Sequence, residues 1–282
     1  MSSPIVAAGQ AKEFREELGL KEDEVVGDII SLITNAGYEY EEKIYDEPFY
    51  GCSEYKGSGL FKISYNLKFD WNLPFKRFTL AHELGHISLH HQFLRQHILH
   101  RCYTNEQFVK EIEIEADCFA ANFLAPSKAC SKLILTKEFS PDTISFLSKH
   151  YNISTYAATL RFIELTDLTC SFIVSNKTCK TEYERRSPTM GISFKHPFVC
   201  KTKVHPHTLT YEFINGKRDV SCCDSLVSYW YPEIKKDAKA KECIIDLGYN
   251  DKFMTLLTPE FSDYETFLSE EDINTEGKYI NT

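Results

Sequence analysis

Two histidines four residues apart, with a glutamate directly after the first, are the residues in this 282-residue chain best spaced to do chemistry: His82-Glu83-Leu84-Gly85-His86. On an α-helix each residue turns the chain by about 100°, so His82 and His86 sit one above the other and can hold one metal ion. Glu83 lies about 100° round from His82, near enough to reach a water on that metal without being a ligand. Two imidazoles with a carboxylate base beside them make the zinc-peptidase arrangement. The plainer reading of a five-residue match is an ordinary surface helix. Phe78, Leu80, Ala81, Leu84 and Leu89 argue for a semi-buried helix instead, and buried imidazoles need partners that a metal would supply. Gly85 costs roughly 1 kcal/mol of helix stability against Ala and leaves room for a close neighbour.

A zinc site with two histidines needs a third protein ligand and one open position. The run Glu111-Ile112-Glu113-Ile114-Glu115-Ala116-Asp117 offers one. It lies in a second apolar stripe at helical spacing, made by Phe108, Ile112, Ala116, Phe119 and Phe123. Glu113 and Asp117 share a face, while Glu115 points about 200° away from Glu113. Glu113 is the expected third ligand. Asp117 is placed to accept the free ring N–H of a ligand histidine and fix its orientation. A solvent-facing acidic run is the alternative, and the interleaved apolar residues count against it.

Taken together, Arg77-Phe78-Thr79-Leu80-Ala81-His82-Glu83-Leu84-Gly85-His86, the downstream Leu89-His90, and the run from Glu113 through Ala116-Asp117, Phe119-Ala120 and Leu124-Ala125-Pro126 resemble the ImmA/IrrE metallopeptidases. That family's second motif reads Glu-x-x-Ala-(Asn or Asp)-x-Phe-Ala and ends in Leu-x-Pro. Phe123 and Ala125 depart from it, standing where Leu and Met are more usual. The resemblance implies a gluzincin-like endopeptidase with one Zn2+ per chain and a glutamate third ligand. It implies a protein substrate, a helix-turn-helix transcriptional repressor, in stress-response or mobile-element regulation. A non-cleaving anti-repressor that displaces its partner from DNA would carry the same motifs, although a purely structural zinc needs no base at Glu83. A developing oxyanion needs a donor besides the metal, and Tyr65, His90, His97, His100 and Tyr103 are all candidates.

The elements that position these residues read as an α+β fold. A helix is expected over residues 10–36, from the stripe Val25, Val26, Ile29, Ile30 and Ile33, ending at Gly37. Residues 38–66 read as two or three antiparallel strands, a small sheet covering the metal helix or offering an edge to an extended substrate. The metal helix should run from near Pro74 to about His90, and the next should open at a capping box, Thr104 to Gln107. This gives a zincin-like peptidase domain at 1–136. Residues 137–168 read as a helix-turn-helix-like segment, with Ser140 and Ser154 as caps. Within 140–166 only Lys149, His150 and Arg161 supply basic contacts, so packing is its first role and DNA contact through 140–166 the second.

From residue 169 the composition turns to strands: Ser171–Val174, Gly191–Phe194, Leu209–Phe213, Cys243–Leu247 and Phe253–Leu257, with Asn215-Gly216 as a hairpin turn. The family resemblance implies a C-terminal mixed α/β GAF-like sensor domain here, at 169–259. His196, His205 and His207 read as scattered loop histidines beside Pro197 and Pro206. Residues 260–282 read as an acidic, partly disordered tail.

A net charge of −9 gives no overall pull towards nucleic acid or anionic lipid. No run of about eighteen apolar residues exists, so no membrane span is expected. The first residues lack a secretory pattern. The ten cysteines contain no Cys-x-x-Cys pair and read as reduced thiols of a cytoplasmic protein, with Cys118 among the core.

Overall fold

The single helix expected over residues 10–36 is two helices with an irregular stretch between them. In the computed structural model, which describes residues 4–95, 99–100, 107–193, 201–217, 220–232 and 238–260, these are α1 (Pro4–Glu17) and α2 (Ile29–Asn35). Gly19, at φ 75°, turns the chain out of α1. The Arg15 guanidinium then holds the irregular stretch by donating to the carbonyls of Lys21 and Glu24. Asp28 restarts the helix by accepting from the N–H groups of Ile30 and Ser31. Gly37, at φ 83°, ends α2 where expected.

Strands β1 (Glu39–Lys43), β2 (Gly51–Gly57) and β3 (Leu60–Asn66) follow, and the two-residue β4 (Leu99–His100) joins β2 opposite Cys52 and Ser53. The order is β1-β3-β2-β4. β2 runs antiparallel to β3 and β4, but β1 is parallel to β3. The sheet is therefore mixed, not purely antiparallel. Ser58 and Gly59, both at positive φ, close β2 and β3 into a hairpin. That leaves β1 only the far side of β3, where it runs in the same direction.

Helix α3 (Leu73–Leu94) carries the first motif. Asn72 caps it by accepting from the Phe75 N–H, and Pro74 sits in its first turn. It packs on β2 and β3 and against α4 (Gln107–Leu124). The contact with α4 is close at Gly85, where a Cβ would stand 3.1 Å from the Phe119 Cβ and 3.2 Å from the Ala116 Cα. Phe14 of α1 packs at 5.9 Å and 6.0 Å from the rings of Phe119 and Phe123. Buried Arg77 anchors the start of α3 by donating to the carbonyls of Val26, Gly27 and Asn152. The capping box expected at Thr104 to Gln107 lies, but for Gln107, outside the described residues.

Helix α5 (Ser127–Ile134) has no counterpart in the sequence reading. Helices α6 (Pro141–Tyr151) and α7 (Thr155–Leu165) do, and Ser140 and Ser154 cap them by accepting from Thr143 and Ala157. Of the basic residues there, Arg161 is buried and paired with Glu164 at 3.0 Å. The chain divides into two compact units, Met1–Lys132 with Leu147–Ala157, and Leu133–Phe146 with Ala158–Thr282.

The second unit holds β5 (Ser171–Asn176), β6 (Thr181–Arg186), α8 (Pro188–Ser193), α9 (Leu209–Ile214), β7 (Cys222–Leu226), β8 (Lys239–Asp246) and β9 (Lys252–Pro259). Its sheet is wholly antiparallel, in the order β6-β5-β9-β8-β7. Two expected strands are helices. Leu209–Phe213 lies in α9 because Thr208 caps it, accepting from the Tyr211 N–H, while Leu209 and Thr210 are buried. Gly191 lies in α8, and Asn215-Gly216 ends α9 rather than turning a hairpin. The all-reduced reading of the cysteines also fails. Cys222 and Cys243 stand directly opposite on β7 and β8 and are bonded to each other. Cys118 is half-buried, whereas, among the described residues, Cys52, Cys130 and Cys170 are buried thiols. Among the described residues, no helix is long and apolar enough to cross a membrane.

Candidate metal centre

Helices α3 and α4 bring His82, His86 and Glu113 to one point, with their ligand atoms all within 4.8 Å of one another. The two Nε2 atoms lie 3.0 Å apart. Glu113 Oε2 is 3.1 Å from His82 Nε2, and its Oε1 is 3.3 Å from His86 Nε2. Both imidazoles are essentially buried, while the Glu113 side chain keeps 22% of its exposure. Of the three side chains, that of Glu113 is the one that keeps contact with solvent.

The outward nitrogens decide the tautomers. His82 Nδ1 lies 2.8 Å from Asp117 Oδ1, so it donates there. His86 Nδ1 lies 3.1 Å from His90 Nδ1, and His90 Nε2 lies 2.8 Å from Glu115 Oε2. The carboxylate of Glu115 takes the His90 Nε2–H, which leaves His90 Nδ1 as acceptor for the His86 Nδ1–H. Each ligand imidazole therefore spends its one proton outward. Burial, the largest influence on His86, pushes it down to about 4 against the pull of Glu113. Its ring is neutral at pH 7. Two Nε2 lone pairs and a carboxylate then converge on one another. Three acceptors meeting in a largely buried space suit a cation, and the donor set of two imidazoles and one carboxylate suits zinc.

Glu83 faces the sheet. Ser53 on β2 donates to its Oε2 at 2.5 Å, and both side chains are fully buried. Gly51 lets the strand come this near. A Cβ there would stand 2.6 Å from Thr79 Cγ2 and 2.7 Å from Glu83 Oε1.

Asp117 stands where its spacing suggested. His90 is not directed at the cleft, since both its nitrogens are engaged by His86 and Glu115. The Tyr65 hydroxyl donates to Asp70 Oδ1 at 3.1 Å. His97 and Tyr103 lie outside the described residues, and only the backbone of His100 is described. Sequence reasoning missed Glu115, Ser53 and Gly51. Glu115 was dismissed by its angle on an isolated helix, and no spacing rule links β2 to α3. His205 stacks on Tyr229 at 4.7 Å beside His207, and no metal cluster forms there among the described residues.

Residues 72–162 match a family model described as the IrrE N-terminal-like domain. Among solved structures, the chain is similar to a Mycobacterium tuberculosis transcriptional regulator, with a TM-score of 0.56 and 12% identity over 93% of this chain and 83% of that one. At that identity the likeness speaks for the fold alone. No curated protein matches the chain by sequence.

Proposed function

We propose, from a chain whose residues 72–162 form an IrrE N-terminal-like domain, that this protein is a zinc-dependent endopeptidase acting on another protein, a helix-turn-helix transcriptional repressor. The observation that carries the reading is the convergence of His82 Nε2, His86 Nε2 and Glu113 with every ring proton turned outward. Zinc bound by these three residues would polarise a scissile carbonyl and lower the pKa of a water. Glu83 is the base that takes the proton from the attacking water and passes it to the leaving nitrogen. Ser53 and Gly51 fix where its carboxylate stands. Asp117 holds the His82 ring in the tautomer that leaves Nε2 available. The name of the structural neighbour, a transcriptional regulator, fits a regulatory setting and names no substrate.

The complete burial of Glu83 favours a second reading, in which the domain grips the repressor and releases it from DNA uncut. The second unit is a GAF-like sensor under either reading, supported by its five-stranded antiparallel sheet. Co-expression with candidate repressors, followed by mass spectrometry, separates the two readings. Wild type should yield repressor fragments, and Glu83→Gln should reduce their rate of formation by about 10²–10⁴-fold while keeping its zinc. Repressor release by both proteins without fragments would favour the binding reading.

A further inference from the structure

The two candidate ligand histidines are supported differently. His82 leans on Asp117, whose side chain is 54% exposed. His86 leans on a second imidazole, which leans on a carboxylate, and those two side chains are 7% and 8% exposed. His90 reaches this place because the backbone leaves helical geometry there, at φ −121° and ψ 22°, inside α3. Its ring lies 5.3 Å from the His86 ring, tilted at 50°.

We propose that Glu115 and His90 are positioning residues for the metal site, a buried relay that fixes the tautomer of His86 and raises the donor strength of its Nε2. The inference rests on the metal reading above, and it deepens that reading by assigning two residues to it. The chemistry runs one way. The Glu115 carboxylate accepts the His90 Nε2–H and makes His90 Nδ1 a better acceptor. That acceptor draws on the His86 Nδ1–H, which makes His86 Nε2 more basic towards a cation. Without the relay the His86 ring could carry its proton on Nε2, where it would face the metal and oppose binding. Low exposure at every link keeps water from substituting for either partner. A half-exposed Asp117 gives His82 no such insulation.

The test is zinc affinity of the full-length chain, measured by chelator competition on metal-stripped protein, with no substrate required. Glu115→Gln keeps the shape and an acceptor oxygen but loses the charge. His90→Leu fills the space and cannot accept. We expect weaker zinc binding in the order wild type, Glu115→Gln, His90→Leu, with the last about 10–100-fold weaker, the usual effect of losing a ligand's outer partner. Cobalt substituted for zinc should show a shifted visible band in both variants, because the His86 donor changes while the ligand set does not. His91→Ala, an exposed neighbour on the same helix, should bind as wild type does. Circular dichroism of the metal-free variants separates misfolding from weakened binding. Zinc affinities of folded Glu115→Gln and His90→Leu within twofold of wild type would overturn the relay. Failure of the wild type itself to bind zinc would overturn the metal reading on which the relay depends.

Discussion

Two carboxylates, one in each unit, show what makes a site. Glu113 faces His82 and His86, whose protons are turned away from it. Glu242, on β8, is fully buried and faces donors. Its Oε1 accepts from the Thr210 N–H and hydroxyl, both at 2.9 Å, and its Oε2 accepts from Ser225 at 2.8 Å. Glu184 is likewise consumed, by Arg186 and the Tyr231 hydroxyl. Of these three carboxylates, Glu113 alone meets acceptors, and there the arrangement calls for a cation from outside the chain. Glu242 and Glu184 are complete as they stand and serve to hold the second unit together.

The contrast is open to breakage at several points, and the largest effect is expected at Gly51. Gly51→Ala puts a methyl group into the space held by Thr79 and the Glu83 carboxylate. Displacing a catalytic group by about 1 Å is enough to slow a reaction about 10²-fold. Cleavage of the substrate should fall by that much while zinc content stays at wild-type level. Full activity in this variant would mean that the position of Glu83 does not matter, and with it the role of the site as a peptidase centre.

A smaller effect sharpens the comparison itself. Glu242→Met removes the acceptor from buried Thr210 and Ser225, so it should destabilise the protein by about 1–3 kcal/mol in denaturant titrations, the usual cost of an orphaned buried donor. Zinc affinity should not change. Glu113→Ala, compared with wild type in metal-free form, should cost no stability, because it removes an acceptor from among acceptors. Equal destabilisation by the two substitutions would erase the distinction drawn between the carboxylates.

How far the sequence foretold this depends on the range of the interactions involved. His82 and His86 were legible because helical periodicity alone places them, and Asp117 because it shares a face of α4 with Glu113. Glu113 was legible because an unfinished ligand set asks for a carboxylate on a nearby apolar helix. Glu115 was not, because its partner His90 lies 25 residues away and only the packing of α3 on α4 brings them together. Ser53 and Gly51 act across a strand–helix contact that no local pattern encodes. In the second unit, β-propensity misread Leu209–Phe213, where a Thr208 cap and two buried residues prevail. The Cys222–Cys243 bond depends on the pairing of β7 with β8, which the bare sequence does not state. The helix break at Gly19 was missed because a stripe that begins only at Val25 was extended back past it to residue 10.

The central claim is that His82, His86 and Glu113 hold one zinc ion. It is tested most directly by metal analysis of purified, zinc-loaded protein after extensive dialysis. Wild type and Glu83→Gln should each retain about one zinc per chain, as a single site of two imidazoles and one carboxylate requires. Glu113→Ala should retain none at the same protein concentration. Wild type that emerges free of zinc, or a Glu113→Ala variant that keeps its full complement, would contradict the account.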